Sequence, residues 1–389
     1  MPGRVLHSLC TTALAAVVLA SPAAAVAAPQ PPPADPAPPS AAGAAGTSAA
    51  TLLSELQKLY QQTEEATETY NGTAAELKKR TAEAKKLDSA LVTARLSLSR
   101  SRDAAGRLAR QQYQGRSDFS SYLQLLLSRD PAQALDQGQV IQRLAAGRVA
   151  TVQRLTGAEK RADELAKKSR KVLDKQQVLA TRQKKDRDAV QKRLKAVEAK
   201  LATLSADQLA EVSGLEQKGT AEAQGALAAS GALSSTRPPS EEGGEAVRYA
   251  VRQIGKPYVW GAEGPDSFDC SGLTSQAWAH AGRTIARTSQ EQWRQLQKVP
   301  VSSLRPGDLV IYFPKATHVA LYIGNGLVVQ APRPGSRVKV SPLASNPLLG
   351  AVRPDPESAP LRTYKAPELP QGASDGSDDG YSVSSAPEE

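Results

Sequence analysis

Aromatic residues make up only 4 % of the 389 residues, with three Trp and three Phe. A compact core spread over the whole length would use more. Trp260, Trp278 and Trp293 all fall between residues 241 and 354, as do Phe268 and Phe313. Residues 51 to 215 contain no Trp and one Phe, Phe119. One part is therefore globular, and a larger part is elongated. Histidine is scarcer still (His7, His280, His318), so no cluster of ligands at zinc spacing exists. The phosphate-binding glycine patterns G-x-x-x-x-G-K-[ST] and G-x-G-x-x-G are also missing, which excludes the commonest nucleotide sites. No metal or cofactor is expected. Only Cys10 and Cys270 carry thiols. No apolar run reaches the ~20 residues needed to span a bilayer.

What is present begins with a targeting pattern. Arg4, the apolar run Ala13 to Ala20 and the small residues Ala25-Val26-Ala27 read as a secretory signal peptide over residues 1–28. The expected mature protein is secreted, extracellular or wall-associated. Cleavage would remove Cys10 and leave Cys270 as the sole thiol, which is either incidental or reactive.

Residues 29–50 are rich in Pro and Ala and read as a linker. A seam at period 3.5 follows: Leu52, Leu56, Leu59, Thr63, Ala66, Tyr70, Thr73 and Leu77, continuing through Ala84, Leu87, Leu91, Ala94, Leu98, Ala105 and Leu108. Gly115 to Gln137 breaks the pattern, and a less regular heptad region runs on to Leu209. Two long helices joined by a tip at 115–138 predict a coiled-coil helical hairpin over 51–212, with pairing between chains as the other arrangement. Between Lys160 and Lys200, fifteen basic residues face six acidic ones. That excess is either a solvated face or a docking surface for an anionic wall polymer or membrane. Nucleic acid is disfavoured because no aromatic residue is available for stacking. Residues 213–240 read as a flexible linker, 241–354 as the globular domain, and 355–389 as an acidic disordered tail.

Chemistry concentrates in the globular domain. Cys270 follows a Gly-rich turn and precedes a predicted helix, Thr274 to Ala281. Free N–H groups at a helix start favour thiolate and can receive charge from a carbonyl oxygen under attack. His318 opens the strand-like run Val319 to Ile323. The turn Gly324-Asn325-Gly326 then leads to Leu327-Val328-Val329-Gln330, a predicted hairpin. Gln330 can orient the imidazole, as the third member of a triad does. From residues alone, a Cys270–His318 dyad and a buried structural Cys with an unrelated His stay equally open.

Five strings occur in order: Pro257-Tyr258-Val259-Trp260-Gly261, Asp269-Cys270-Ser271-Gly272-Leu273, Arg287-Thr288-Ser289, Pro306-Gly307-Asp308-Leu309 and His318-Val319-Ala320-Leu321-Tyr322-Ile323-Gly324. Together they resemble the NlpC-type, papain-like cysteine peptidases of bacterial cell walls, over residues 243–354. The N-terminal half more loosely resembles the coiled coils found ahead of such domains in secreted actinobacterial wall hydrolases. The resemblance implies an α+β fold in which the Cys-bearing helix packs on an antiparallel sheet carrying His318. It also implies hydrolysis of peptidoglycan stem peptides, commonly between D-glutamate and diaminopimelate. Cys270 would be the nucleophile, His318 the base and then acid, and Gln330 the orienting group. Tyr258, Asp269 and Ser271 would line the site, with Asp269 meeting a free α-amine. Gln330 departs from the more usual His, and Ala262 from a usual Gly. The other reading is a catalytically silent, wall-binding or partner-activating scaffold, with a membrane-associated activator as a further expected partner of the hairpin.

Overall fold

The computed structural model describes residues 48–114, 131–233 and 237–373. The signal-peptide reading and nearly all of the first linker lie outside them, as do residues 115–130 of the tip. Ser48 caps helix α1 (Ala49–Tyr113) by accepting from the Thr51 amide. Helix α2 (Pro131–Leu201) runs back along it. At 1.5 Å per residue, α1 is roughly 100 Å long. Cross-helix contacts fix the direction: Lys200 meets Glu55, Arg193 meets Gln62, Asp186 meets Thr73, Gln176 meets Thr81 and Glu159 meets Arg102. One index falls as the other rises, so the two helices form an antiparallel hairpin. Among the described residues no helix is long and apolar enough to cross a membrane.

The expected flexible linker at 213–240 is corrected. Helix α3 (Ala206–Ala229) occupies most of it, started by a capping box between Ser205 and Gln208. Alanine is the best helix former, so this Ala-rich stretch holds a helix once capped. Val212 of α3 is fully buried against Leu52, Leu56, Val197 and Leu201.

The domain beyond α3 is α+β. Helices α4 (Glu241–Val251) and α5 (Cys270–His280) and the short α6 (Ser289–Gln295) precede a sheet of β1 (Gln297–Val299), β2 (Leu309–Tyr312), β3 (His318–Gly324), β4 (Leu327–Gln330), β5 (Lys339–Pro342) and β6 (Leu348–Arg353). The strands are antiparallel throughout, in the order β1-β6-β2-β3-β4-β5. Alternation sorts the side chains. Leu309, Ile311, Val319, Leu321 and Val329 pack against Ala246, Val247, Ala250, Leu273, Ala277 and Trp278 of α4 and α5. Val310, Tyr312, Ala320, Tyr322 and Val328 form a second layer that reaches Leu227 of α3.

The tail reading also changes. Asp355 accepts from Ser240 and from Arg305, Arg305 reaches the Ser358 carbonyl, the Leu361 amide meets Pro239, and Ala373 pairs with Val340. Residues 355–373 are thus tied to the domain. The acidic tail beyond 373 lies outside the described residues.

Candidate active site

Cys270 is the first residue of α5, and Asp269 is its N-cap, accepting from the Gly272 amide at 2.6 Å. Gly272 is required there: a Cβ would stand 2.2 Å from the Ala262 carbonyl oxygen. Asp269 is held from every side. Arg287 donates to both carboxylate oxygens (3.1 and 2.7 Å), and the Gly261 amide donates at 2.9 Å. Arg287 therefore acts as scaffold for the N-cap, a point the sequence left open.

On the sheet, His318 Nε2 lies 2.7 Å from Gln330 Oε1. Leu321 pairs with Val329, so extending the register sets Gln330 across from Ala320, two residues from His318 on the same face. The amide oxygen accepts, so Nε2 carries the proton and Nδ1 is left as the basic nitrogen of the neutral ring. That is the tautomer a thiol-activating base needs.

Helix α1 fills the space in front of these groups. Glu68 Oε1 accepts from Ser271 Oγ at 2.6 Å and lies 3.7 Å from Cys270 Sγ, while Glu68 Oε2 accepts the Ser289 amide at 2.6 Å. Glu64 Oε1 lies 3.1 Å from His318 Nδ1, an ion-pair distance off the line of a hydrogen bond. Asn71 Nδ2 donates to Asp269 Oδ2 at 2.9 Å. The Tyr70 ring stands edge-on to Trp260, with centroids 5.1 Å apart, and Lys315 pairs with Glu65 at the rim. Helix α3 braces the same face. Gln224 bonds Gly326 and Ala344, and Glu216 pairs with Arg333, whose guanidinium lies over Tyr60.

The electrostatics follow from this cover. Cys270 is only 2 % exposed. Burial first, then Glu68, Asp269 and Glu64, push its thiol well above the usual range, with Arg287 opposing weakly. The expected thiolate at a helix start is thus corrected for the covered form: a half-charge of dipole cannot outweigh desolvation and three carboxylates. Burial likewise raises Glu68 to about 7, helped by Asp269 and opposed by Ser271, Arg287 and Ser289. For His318, burial pulls downward, but Glu64, Gln330 and Glu68 outweigh it and the imidazole is raised above its ordinary value. Tyr258 is buried beside Cys270 and its phenol is pushed well up, by burial first.

All six residues expected at the site (Tyr258, Asp269, Cys270, Ser271, His318 and Gln330) lie in this buried region, and both Glu64 and Glu68 act on the thiol and on the imidazole. Asp269 and Ser271 are occupied by Asn71 and Glu68. His280 lies elsewhere, near Arg252 and under Tyr249. Oxygens of Glu68 and Asp269 and the Cys270 sulfur lie within 4.8 Å of one another. A cation there would compete with Arg287, which already holds both Asp269 oxygens. Sequence reasoning missed Glu64, Thr67, Glu68 and Asn71. Their 3,1,3 spacing on one helix face was the available signal, hidden because polar residues flanking a heptad seam ordinarily face water.

A cysteine opening a helix that packs on an antiparallel sheet, with a His on that sheet held by a side-chain amide, is the arrangement of a papain-like fold. Residues 255–350 match the NlpC/P60 family, to which the chain belongs through this domain. A probable endopeptidase of Corynebacterium glutamicum is 44 % identical over 116 residues, 30 % of this chain and 56 % of that protein. The peptidoglycan endopeptidase RipA of Mycolicibacterium smegmatis is 41 % identical over 126 residues, 28 % of this chain and 25 % of that one. The chain thus spans about half the length of the corynebacterial relative and a quarter of RipA. Among solved structures, RipA mutated at E444 shares 34 % identity, with 30 % of this chain and 66 % of that chain covered and a TM-score of 0.27. RipD of Mycobacterium tuberculosis, described as a non-catalytic NlpC/p60 domain protein, shares 31 %, with 30 % and 98 % covered and a TM-score of 0.27.

Proposed function

We propose that this chain is a secreted cysteine endopeptidase that hydrolyses peptidoglycan stem peptides, at the bond between D-glutamate and diaminopimelate, and that α1 keeps it latent. The observation that carries the reading is that Cys270 at the start of α5 and a His318 ring whose Nδ1 is left basic by Gln330 lie in one buried seam, both acted on by Glu64 and Glu68. Once α1 leaves, Glu64 and Glu68 leave with it, and the charges that hold the thiol neutral are withdrawn. His318 Nδ1 then takes the thiol proton, and the sulfur attacks the peptide carbonyl carbon. Charge gathers on the carbonyl oxygen, where N–H groups at the start of α5 can receive it. The imidazolium returns its proton to the leaving amine, giving a thioester. Water, deprotonated by His318, hydrolyses that thioester and restores the thiol.

Substrate identity rests on the names of the relatives, two of which are endopeptidases and one of which acts on peptidoglycan. The vacated groups suit such a peptide: Asp269 offers a carboxylate to an amine, and Ser271 with the Ser289 amide offers donors to a carboxylate. The basic face of α2 suits an anionic wall polymer, and the hairpin suits a membrane-associated activator. The scaffold reading draws on the sealed cleft, but Cys270, His318 and Gln330 form a complete set of catalytic groups, which a scaffold does not need.

The test is mass analysis of purified stem-peptide fragments incubated with the mature chain carrying Glu64→Ala and Glu68→Ala, which removes the two carboxylates that α1 holds against the thiol and the imidazole. Cleavage with a new diaminopimelate amine, absent when Cys270→Ser is added, is the expected result. Intact fragments, or products that survive Cys270→Ser, refute it.

A further inference from the structure

We infer that the cover over the active site is proton-gated: α1 closes by carrying Glu64 and Glu68 into a sealed cleft whose one guanidinium is already paired with Asp269, so closure takes up protons and rising pH releases the helix. The inference concerns regulation of the site read above as a peptidase, and its test makes no use of activity.

The groups that meet in the seam are few. From α1 come Glu64 and Glu68, from α5 and its cap Cys270 and Asp269, from the loop before α6 Arg287, from β3 His318, and Tyr258 closes the floor. Glu64, Glu68, Asp269, Cys270 and His318 are all buried. Three buried carboxyl groups face one guanidinium and one imidazole, and Arg287 is spent on Asp269 with both of its terminal nitrogens and on the more exposed Glu263 with Nε. An imidazolium and at least partial protonation of Glu68 are what balance this volume. Buried unbalanced charge is costly, and the cheapest remedy is a proton.

The seam is also imperfectly satisfied. Glu64 Oε2, Thr67 Oγ1 and Trp260 Nε1 are buried without a hydrogen bond. Each such atom costs free energy that water would return on opening. These unpartnered groups lower the cost of opening.

The sign is the same for both titrating groups. Glu68 closes with its carboxyl raised to about 7, and His318 closes with its imidazole raised above the ordinary value. A group raised in the closed form favours closure below its ordinary value and loses that contribution as pH climbs through the closed-form value. Glu68 acts in the window from the ordinary carboxylate range up to about 7, and His318 in a window starting at the ordinary imidazole value. Within either window the opening constant gains about tenfold per pH unit for each group titrating.

Hydrogen exchange reads opening directly, because the Ser289 amide donates to Glu68. Exchange of peptides containing Ser289 would be followed from pH 5.5 to 8.5 in the mature Cys270→Ser chain, corrected for intrinsic rates. Opening is expected to rise about tenfold per unit up to pH 7. Glu68→Gln, whose amide oxygen can still accept from Ser289 but which cannot ionise, should flatten that lower window. Glu64→Gln should keep the lower slope and lose the upper one that His318 supplies. Circular dichroism melts establish that both variants are folded, and if Glu68→Gln is not, the Glu64→Gln pattern decides alone. Opening that is flat or falls with pH in the parent, or Glu68→Gln with the parent's slope, overturns the inference. Loss of peptidase activity with the exchange pattern intact would sink the enzymatic reading and leave this one standing.

Discussion

The near and far halves of the helical hairpin share one heptad pattern and live in different surroundings. In the near half, Leu52, Leu56 and Tyr60 are buried with Val197, Leu201 and Val212, and even polar Glu64, Glu68 and Asn71 are covered. In the far half the seam residues Leu91 and Ala94 are still buried, but the apolar residues beside the seam, Val92 and Leu96, and Leu144, Val149 and Val152 of α2 are half exposed or more. Two helices cannot bury an entire apolar stripe against each other. The near half is finished by α3 and the C-terminal domain, whereas among the described residues the far half has only its antiparallel neighbour. Periodicity thus specifies that a helix forms and which stripe seeks cover, while burial depends on a third body that the pattern does not encode.

The contrast predicts unequal responses to the same substitution. Leu56 is 1 % exposed in the three-helix cluster, so Leu56→Ala should cost about 2–5 kcal/mol through lost transfer and a cavity. Because that cluster seats α1 over the cleft, stem-peptide turnover should rise as stability falls. Denaturant midpoints and turnover on one preparation check both. Stability lost with no gain in turnover would mean that α1 is not what limits access.

Asn71→Ala is a smaller and more local break. Its amide bonds Asp269 at 2.9 Å and Glu68 at 3.3 Å, both buried. Leaving these carboxylates short of a donor should cost about 1–3 kcal/mol of closure. Asp269 keeps Arg287, Gly261 and Gly272, so the domain itself should keep its melting temperature. Faster alkylation of Cys270 at an unchanged melting temperature is the expected outcome, and unchanged alkylation would remove Asn71 from the cover.

The C-terminal domain was legible because its constraints are local. Asp269, Cys270 and Gly272 are fixed by one N-cap and one close approach to Ala262, and His318 with Gln330 by one hairpin. The cover was not legible because Glu68 and Cys270 are separated by two hundred positions, and no short-range pattern ties them. The helix at 206–229 lay between these cases. Its Ser205–Gln208 capping box marks a helix start, but the Ala-, Gly- and Ser-rich run that follows, with Gly214, Gly219 and Gly225, reads as a linker. In the fold no side chain approaches those glycines, so they cost the helix only propensity.

The smallest expected effect lies in the far half. Leu144 is 56 % exposed, so Leu144→Ser removes little buried area and should change stability by no more than about 0.5 kcal/mol. The near-zero value is itself informative, because it holds only while water is the neighbour. If the apolar residues of the far half are covered by a second copy in solution, Leu144→Ser would cost several times more, and the cost would grow with protein concentration as the paired form is lost. Denaturant midpoints of parent and variant at two concentrations a hundredfold apart separate these cases. A gap that opens with concentration would make both halves of the hairpin buried surfaces, one finished within the chain and the other between chains.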